Sequence, residues 1–410
     1  MSPDAVRRPI ASAMRILLPF LALLCCPSAA AASAAVAVPL TTAVATPPTT
    51  RLARGTSFYL DEDNFQFAPR TDQNYTLGTG FTWEGDERGR EDSHGVLDAP
   101  LDGFEAGARW AAKRLLGLHL RAANRPAHYA RTLFATAFTP EHIERADIQY
   151  GDRPYAFLIG WTVRRTPDAS HADRDRFAFW RSEATLGTIG SPVGELVQRS
   201  IHAGLRTVNG SDEPVDPAGW DHQILDSRFG VPTARYDLTR VGYRRWAGMP
   251  GVELMADAGA ELGYYTDAHS SVSAALGWSA SPLWTFDMHM AHPGLVAGTP
   301  QRARGFEAFV FASVEGFAYA YNALLQGYGD WRSDYHFSRR DIETYTYELR
   351  QGIVVGHYSV DAAGGRRRQL RFVLEPYAFR SREFKGALAR GHAWGGVRVL
   401  MSETFDLSMR

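Results

Sequence analysis

Hydrophobic and polar positions alternate along most of this chain. From Tyr75 to Trp83, the residues Tyr75, Leu77, Thr79, Phe81 and Trp83 fall on one face, and Thr76, Gly78, Gly80 and Thr82 on the other. From Tyr155 to Val163, Tyr155, Phe157, Ile159, Trp161 and Val163 share a face opposite Ala156, Gly160 and Thr162. Between Glu307 and Tyr321, Phe309, Phe311, Phe317, Tyr319 and Tyr321 alternate with Ala308, Ala312, Gly316, Ala318 and Ala320. A period of two is the mark of a strand with two different faces. Weaker segments of similar length lie at 131–137, 177–187, 252–264, 271–279, 283–290, 345–358, 370–379 and 392–401. About ten to twelve strands follow from these patterns. An aromatic outer face and a small-residue inner face predict an all-β chain forming a transmembrane antiparallel β-barrel of about twelve strands. Closure satisfies every backbone N–H and C=O without water.

Three connections are long. Residues 84–130 hold Phe104, Ala108, Ala111, Leu115 and Leu118 at helical spacing, with Arg109, Lys113 and Arg114 beside them. Residues 191–225 hold a second helical candidate, Val193 to His202. Residues 322–343 mix charges with aromatics. Long barrel loops normally face outward and carry function, so short helices are expected in outer loops.

The N-terminus supports export. Arg7, Arg8 and Arg15 precede an uncharged run from Ile16 to Cys25, and small residues follow. This predicts a signal peptide over 1–34 with Sec-type export, a disordered leader over 35–54, and a barrel domain over 55–410. The apolar run is shorter than the ~20 residues a spanning helix needs. Both cysteines, Cys25 and Cys26, lie in the signal, so cleavage leaves no thiol for a disulfide or a zinc site. A net charge of −1 gives no basis for nucleic-acid binding.

Candidate chemistry sits in three motifs. Asp61-Glu62-Asp63-Asn64 places carboxylates near a strand start, where a hard cation such as Ca²⁺ finds oxygen ligands. Asp152-Arg153-Pro154-Tyr155-Ala156 follows the second motif's Glu141-His142. Gly194-Glu195 leads to Gln198 and His202, four apart and so on one helical face, and then to Gly219-Trp220-Asp221-His222-Gln223. A histidine near a cation can take a proton from water while the cation polarises an ester carbonyl. Neither a G-x-S-x-G elbow nor an HExxH motif is present.

In this order the motifs resemble the outer-membrane lipid A 3-O-deacylase family. Its opening pattern, E-N-D-x-F then T-D-x-x-Y-T-x-G, is matched by Asp61 to Phe65 and Thr71 to Gly78. Its D-R-P-Y-A-G is similar to Asp152 to Ala156, with Phe157 replacing the last Gly. Its G-E-x-V-Q-x-x-x-H resembles Gly194 to His202. The resemblance implies a twelve-stranded barrel in the cell outer membrane, with lipid A or lipopolysaccharide as partner. It also implies a Ca²⁺-dependent site between the barrel wall and an outer-loop helix. There His202 is the base that activates water, Gln198 supports it, Thr76 occupies an active-site position, and Asp63 and Glu62 serve the Ca²⁺ site. Glu62 stands where the family usually has Asn, and no Lys lies between Pro140 and Gly151, where His142 and Arg145 are the nearest cations. The alternatives are a non-catalytic barrel, either a pore or a degenerate family member, and a soluble periplasmic β-sandwich.

Overall fold

The computed structural model describes residues 51–62, 74–86, 126–167, 176–209, 216–246, 250–279, 304–360 and 366–406, with isolated positions at 103, 106, 107, 110, 113, 114 and 283. The segments expected as signal (1–34) and, for the most part, as leader (35–54) lie outside these residues, as does most of the strand expected over 283–290. All twelve strands belong to the unit Thr49–Arg410.

Those strands are β1 (Arg51–Glu62), β2 (Asn74–Asp86), β3 (Pro126–Thr139), β4 (Ala156–Pro167), β5 (Arg176–Ile189), β6 (Val231–Trp246), β7 (Gly251–Gly263), β8 (Tyr265–Trp278), β9 (Arg304–Asn322), β10 (Tyr345–Val360), β11 (Arg366–Arg380) and β12 (His392–Asp406). Each pairs antiparallel with its chain neighbours, and β1 pairs with β12 to close the barrel. Helix α1 (Val193–Asn209) lies in the β5–β6 connection and the single turn α2 (Ala323–Gln326) follows β9.

Outward positions carry large apolar side chains all round the wall. Phe58, Trp83, Leu133, Leu276, Val310 and Phe372 are all exposed. A surface so apolar suits hydrocarbon and not water. That excludes the soluble sandwich.

The interior is filled. Tyr59, Tyr75, Phe134, Phe317, Tyr319 and Trp394 pack at one end of the lumen with Ile224, Leu225 and Leu324 from the loops above. Charged side chains pair across the rest, as in Arg350–Glu375 at 2.7 Å, Arg371–Glu307 at 2.5 Å and Arg164–Glu183 at 2.6 Å. Paired charges tolerate burial where lone ones do not. A packed lumen does not suit an open pore.

Two faces differ from expectation. The aromatic residues of β9 point inward: Phe309, Phe311, Phe317 and Tyr319 are buried, while Val310 and Val314 are exposed. Glu307 and Glu315 share the aromatic parity, and both are buried inside; carboxylates avoid lipid, so their whole face turns to the lumen. On β2, Tyr75 also points inward, fully buried. A bulge separates it from Leu77, so the alternation restarts and Leu77, Phe81 and Trp83 keep the outer face. The irregular pattern of β11 has the same kind of cause, a register shift around Pro376 between Glu375 and Ala378.

Strand order also fixes sides. Glu62, Asn74, Thr139, Ala156, Ile189 and Val231 end or begin strands at one rim, and α1 rises there. Arg51, Asp406, Asp86 and Pro126 lie at the opposite rim. The 87–125 connection therefore leaves the barrel opposite α1, contrary to the expectation of three outward loops. Within it, Gly103, Ala106, Trp110 and Arg114 are helical, as the spacing predicts.

Candidate functional site

The β5–β6 connection builds the site. After Ile189 the chain turns at Gly190, whose φ is 81° and whose N–H donates to Phe157 O at 2.9 Å. A side chain there would strike the Leu225 backbone, so the turn needs glycine. Ser191-Pro192 then leads into α1. Gly194 seats the helix on β4: a Cβ at this position would fall 2.7 Å from Phe157 Cβ. Phe157, the departure from the family pattern, is fully buried beneath it.

Phe157 belongs to an apolar cluster on the outside of the wall. With it pack Leu77 of β2, Ala137 of β3, Tyr155 and Trp220, and Val197 of α1 contributes from above. Leu60 of β1 joins the same cluster. The region is thus a stretch of outer wall from β1 to β4, at the rim opposite Arg51 and Asp406, covered by α1 and the 3₁₀ turn Trp220–His222.

Gln198 and His202 lie on the buried face of α1, at 2% and 4% exposure, while Leu196, Arg199 and Ser200 are exposed. The i, i+4 expectation holds. Trp220 Nε1 donates to Gln198 Oε1 at 2.8 Å, and its ring packs on Tyr155 at 4.8 Å between centroids. Tyr155 in turn donates its hydroxyl to Ile143 O at 3.0 Å. Gly219 lets this contact form, since a Cβ there would sit 2.7 Å from the Tyr155 ring. The G-W-D-x-Q motif therefore orients Gln198 and the helix face that carries His202. Nothing in the sequence marks Trp220 for this role, because its spacing from Gln198 has no local periodicity.

The carboxylate motif is divided by strand alternation. Glu62 shares the outward parity of Phe58 and Leu60, sits opposite Leu77 of β2 and is buried at the wall. Asp61 points the other way, into the lumen, 3.7 Å from Arg350 and 3.8 Å from Arg398. Asp61 therefore does not share a site with Glu62. Asp63 lies outside the described residues. Thr76 is the extra residue of the β2 bulge, next to Leu77. Bulges commonly re-aim a side chain beside a functional site. Glu62, Thr76, Gln198 and His202 thus come from elements that meet at one stretch of outer wall.

The second motif is structural. Asp152 is buried and accepts from Glu141 N at 2.8 Å and from Arg390 Nη1 at 2.8 Å. Arg153 is buried, stands 4.0 Å over the Phe138 ring and pairs with Glu383. Arg380 joins the pair from β11, at 3.4 Å from Glu383. Burial would raise the Glu383 carboxyl, but Arg153 and Arg380 outweigh it and hold it at about 2. These contacts tie the β3–β4 loop to the β11–β12 loop. His142 and Arg145, the cations nearest the missing Lys, are both largely exposed and engage Glu144 and Asp147 of their own loop.

Enlarging Gly194 tests the seating of α1. Gly194→Val should displace the helix and abolish any activity that depends on it, with the barrel still showing heat-modifiable mobility in gel electrophoresis. Phe157→Ala in the same chain should restore part of the loss by making room. Full activity of Gly194→Val alone would show that the helix need not sit where it does.

A closed twelve-stranded barrel with a lipid-facing apolar belt and a helix-roofed outer wall defines an outer-membrane β-barrel protein. A family model described as "Outer membrane protein LpxR" matches residues 17–402. The chain belongs to this family, which bears out the resemblance in its motifs. Among solved structures it is similar to LpxR from Salmonella typhimurium, with 14% identity and a TM-score of 0.55, covering 86% of this chain and 99% of that one. At this identity the likeness shows the fold. The Pseudomonas putida toluene transporter TodX covers 88% of this chain and 91% of its own at 9% identity, but its TM-score of 0.26 is too low to bear on this protein. No curated protein matches.

Proposed function

We propose that this chain is a lipid A deacylase of the outer membrane, hydrolysing ester-linked 3′-acyl (acyloxyacyl) chains with water activated by His202. One observation carries the proposal: His202 and Gln198 are buried together on the face of α1 that roofs the outer wall. A histidine placed on solvent or in the lumen could not meet an acyl ester held at the membrane surface.

In this reading, a neutral His202 imidazole takes a proton from water. The water oxygen attacks the ester carbonyl carbon, and the C–O bond to the sugar breaks as the tetrahedral oxyanion collapses. The imidazolium returns its proton to the leaving sugar oxygen. The products are a free fatty acid and a sugar hydroxyl, and His202 ends as it began. Gln198, held by Trp220, keeps the helix face in register. Thr76 stands at the bulge as an active-site position.

Glu62 and Asp63 are hard oxygen donors, the class that suits Ca²⁺, and Glu62 is fixed at the wall beside the covered cluster. They would hold the ion, which when bound supplies Lewis-acid polarisation of the ester carbonyl. Glu62 in place of Asn adds a negative charge to this donor set and removes an amide donor. Lipopolysaccharide is the substrate-bearing partner, and the segment 1–34 serves as the signal for Sec-type export.

Mass spectrometry of lipid A tests the proposal. Cells producing the protein, with Ca²⁺ supplied, should show lipid A lighter by its 3′-acyl or acyloxyacyl group. A chelator applied to the purified, detergent-solubilised barrel should stop the reaction, and Ca²⁺ should restore it. Unaltered lipid A under Ca²⁺, from protein shown to be folded in the outer membrane, would refute the activity. Continued deacylation in chelator would refute the Ca²⁺ requirement alone.

A further inference from the structure

Three arginines face outward on one short stretch of β5 and β6. Arg176 lies directly opposite Arg244, and Trp180 directly opposite Arg240. The inward neighbours confirm the parity. Phe179, Val241 and Tyr243 are buried in the interior cluster, while Arg176, Arg240 and Arg244 are exposed. Like charges placed directly across a ladder repel and destabilise the pairing. A lipid-facing arginine is itself costly unless it reaches a polar partner.

No carboxylate supplies that partner from the next strand. Arg240, Gly242 and Arg244 stand opposite Ala258, Ala256 and Leu254 of β7. The acidic residues of β7, Glu253 and Asp257, have the opposite parity and are buried within. The arginines lean on aromatic faces instead: Arg240 lies 5.5 Å from the Trp180 ring centre and Arg244 4.6 Å from that of Trp246.

Between the two charged rows the floor is small. Ala178 is paired with Gly242, and a Cβ at Gly242 would meet only Ala256 O, at 3.7 Å. Arg240 and Arg244 are four residues apart on one strand face, ~13 Å along the strand. Two long guanidinium side chains can close over a group seated on that floor. The result is a shallow cradle with three cations at its sides, aromatic rings under two of them, and room for one compact anion.

The height of the cradle selects its occupant. Arg176 opens β5 and Trp246 closes β6, at the rim where β1 begins and β12 ends and opposite α1. In barrels of this class the rim opposite the functional outer loops faces the periplasm. The leaflet at that rim is phospholipid. We propose that Arg176, Arg240 and Arg244 form a binding site for the phosphate of an anionic glycerophospholipid in the inner leaflet, with its acyl chains lying down the wall. Guanidinium groups are suited to phosphate because several N–H donors converge on its oxygens. The tryptophans fit the same boundary, where an apolar body meets a polar surface.

Native mass spectrometry of the detergent-solubilised full-length barrel tests this. The probes are phosphatidylglycerol, phosphatidylcholine and purified lipid A, each added alone. The parent should retain phosphatidylglycerol in preference to phosphatidylcholine. The triple variant Arg176→Gln, Arg240→Gln, Arg244→Gln should retain it on the order of 100-fold more weakly, from about a fivefold step for each of the three lost contacts. Heat-modifiable mobility checks that the variant is folded; should it not fold, Arg240→Gln alone should still weaken retention severalfold. Equal retention of phosphatidylglycerol by parent and folded variant overturns the site. Loss of lipid A retention with phosphatidylglycerol unchanged overturns the assignment to phospholipid.

Discussion

Replacing His202 with alanine should lower acyl release from lipid A by about 10²–10⁴-fold, the contribution typical of a positioned base, while the barrel stays intact. His202 sits on α1, outside the twelve-strand ladder, so its removal takes nothing from strand pairing or from the packed lumen. It is buried on the helix face that looks to the outer wall, and truncation leaves space there that water can fill. The rate is read by mass spectrometry of lipid A in detergent with Ca²⁺ present, and integrity by heat-modifiable mobility. His202→Gln keeps the size and loses the base, so it should be as slow as the alanine variant. An alanine variant that deacylates as fast as the parent would remove His202 from the mechanism. Gln198→Ala should cost less, since Gln198 accepts from Trp220 and its part is to hold the helix face.

The second large effect concerns stability at the same rim. Glu383→Ala leaves Arg153 and Arg380 buried without their shared carboxylate. Breaking a buried pair by removing one partner costs about 3–5 kcal/mol, because the remaining charge is uncompensated. The loss should fall on the tie between the β3–β4 and β11–β12 loops, and faster amide hydrogen exchange over 140–155 and 381–391 would report it. Acid should act in the same direction. The folded Glu383 carboxyl, opposed by burial but held down by Arg153 and Arg380, sits at about 2 against an ordinary 4.5. Its contribution is fully present above the ordinary value and is lost as pH falls toward the folded value. Between pH 4.5 and 2 the parent's loop exchange should therefore accelerate more steeply than that of Glu383→Gln. Parallel acid profiles for the two proteins would show that Glu383 is not what holds these loops.

Much of the fold was legible in the chain because strand alternation is a local signal. Ten of the expected segments fall on observed strands, and α1 spans the helical spacing first read over Val193 to His202. β6 escaped because both of its faces carry charge: Arg235 and Asp237 inside, Arg240 and Arg244 outside. With charges on both parities, no apolar face stands out. β1 shows in the chain only as carboxylates near a strand start, and it begins at Arg51, within the last residues of the expected leader. Omitting even one strand flips the side on which every later loop emerges. Length alone points the 84–130 connection outward, and length does not fix the rim from which a loop leaves.

For the site, the sequence alone determined which residue types recur at which spacing. The helical interval joining Gln198 to His202, the glycines at 190, 194 and 219, and the motif order that marks the family are all properties of neighbours along the chain. Only the tertiary structure decided which way each face turned. A period of two separates faces but does not name them: on β9 the pair Glu307 and Glu315 sent the aromatics inward, and on β2 a bulge at Thr76 sent Tyr75 inward. The same alternation divided Asp61 from Glu62, one to the lumen arginines and one to the outer wall. Contacts such as Trp220 with Gln198, Phe157 beneath Gly194 and Arg176 opposite Arg244 join residues far apart in the chain. They depend on barrel closure and register, which no local pattern contains.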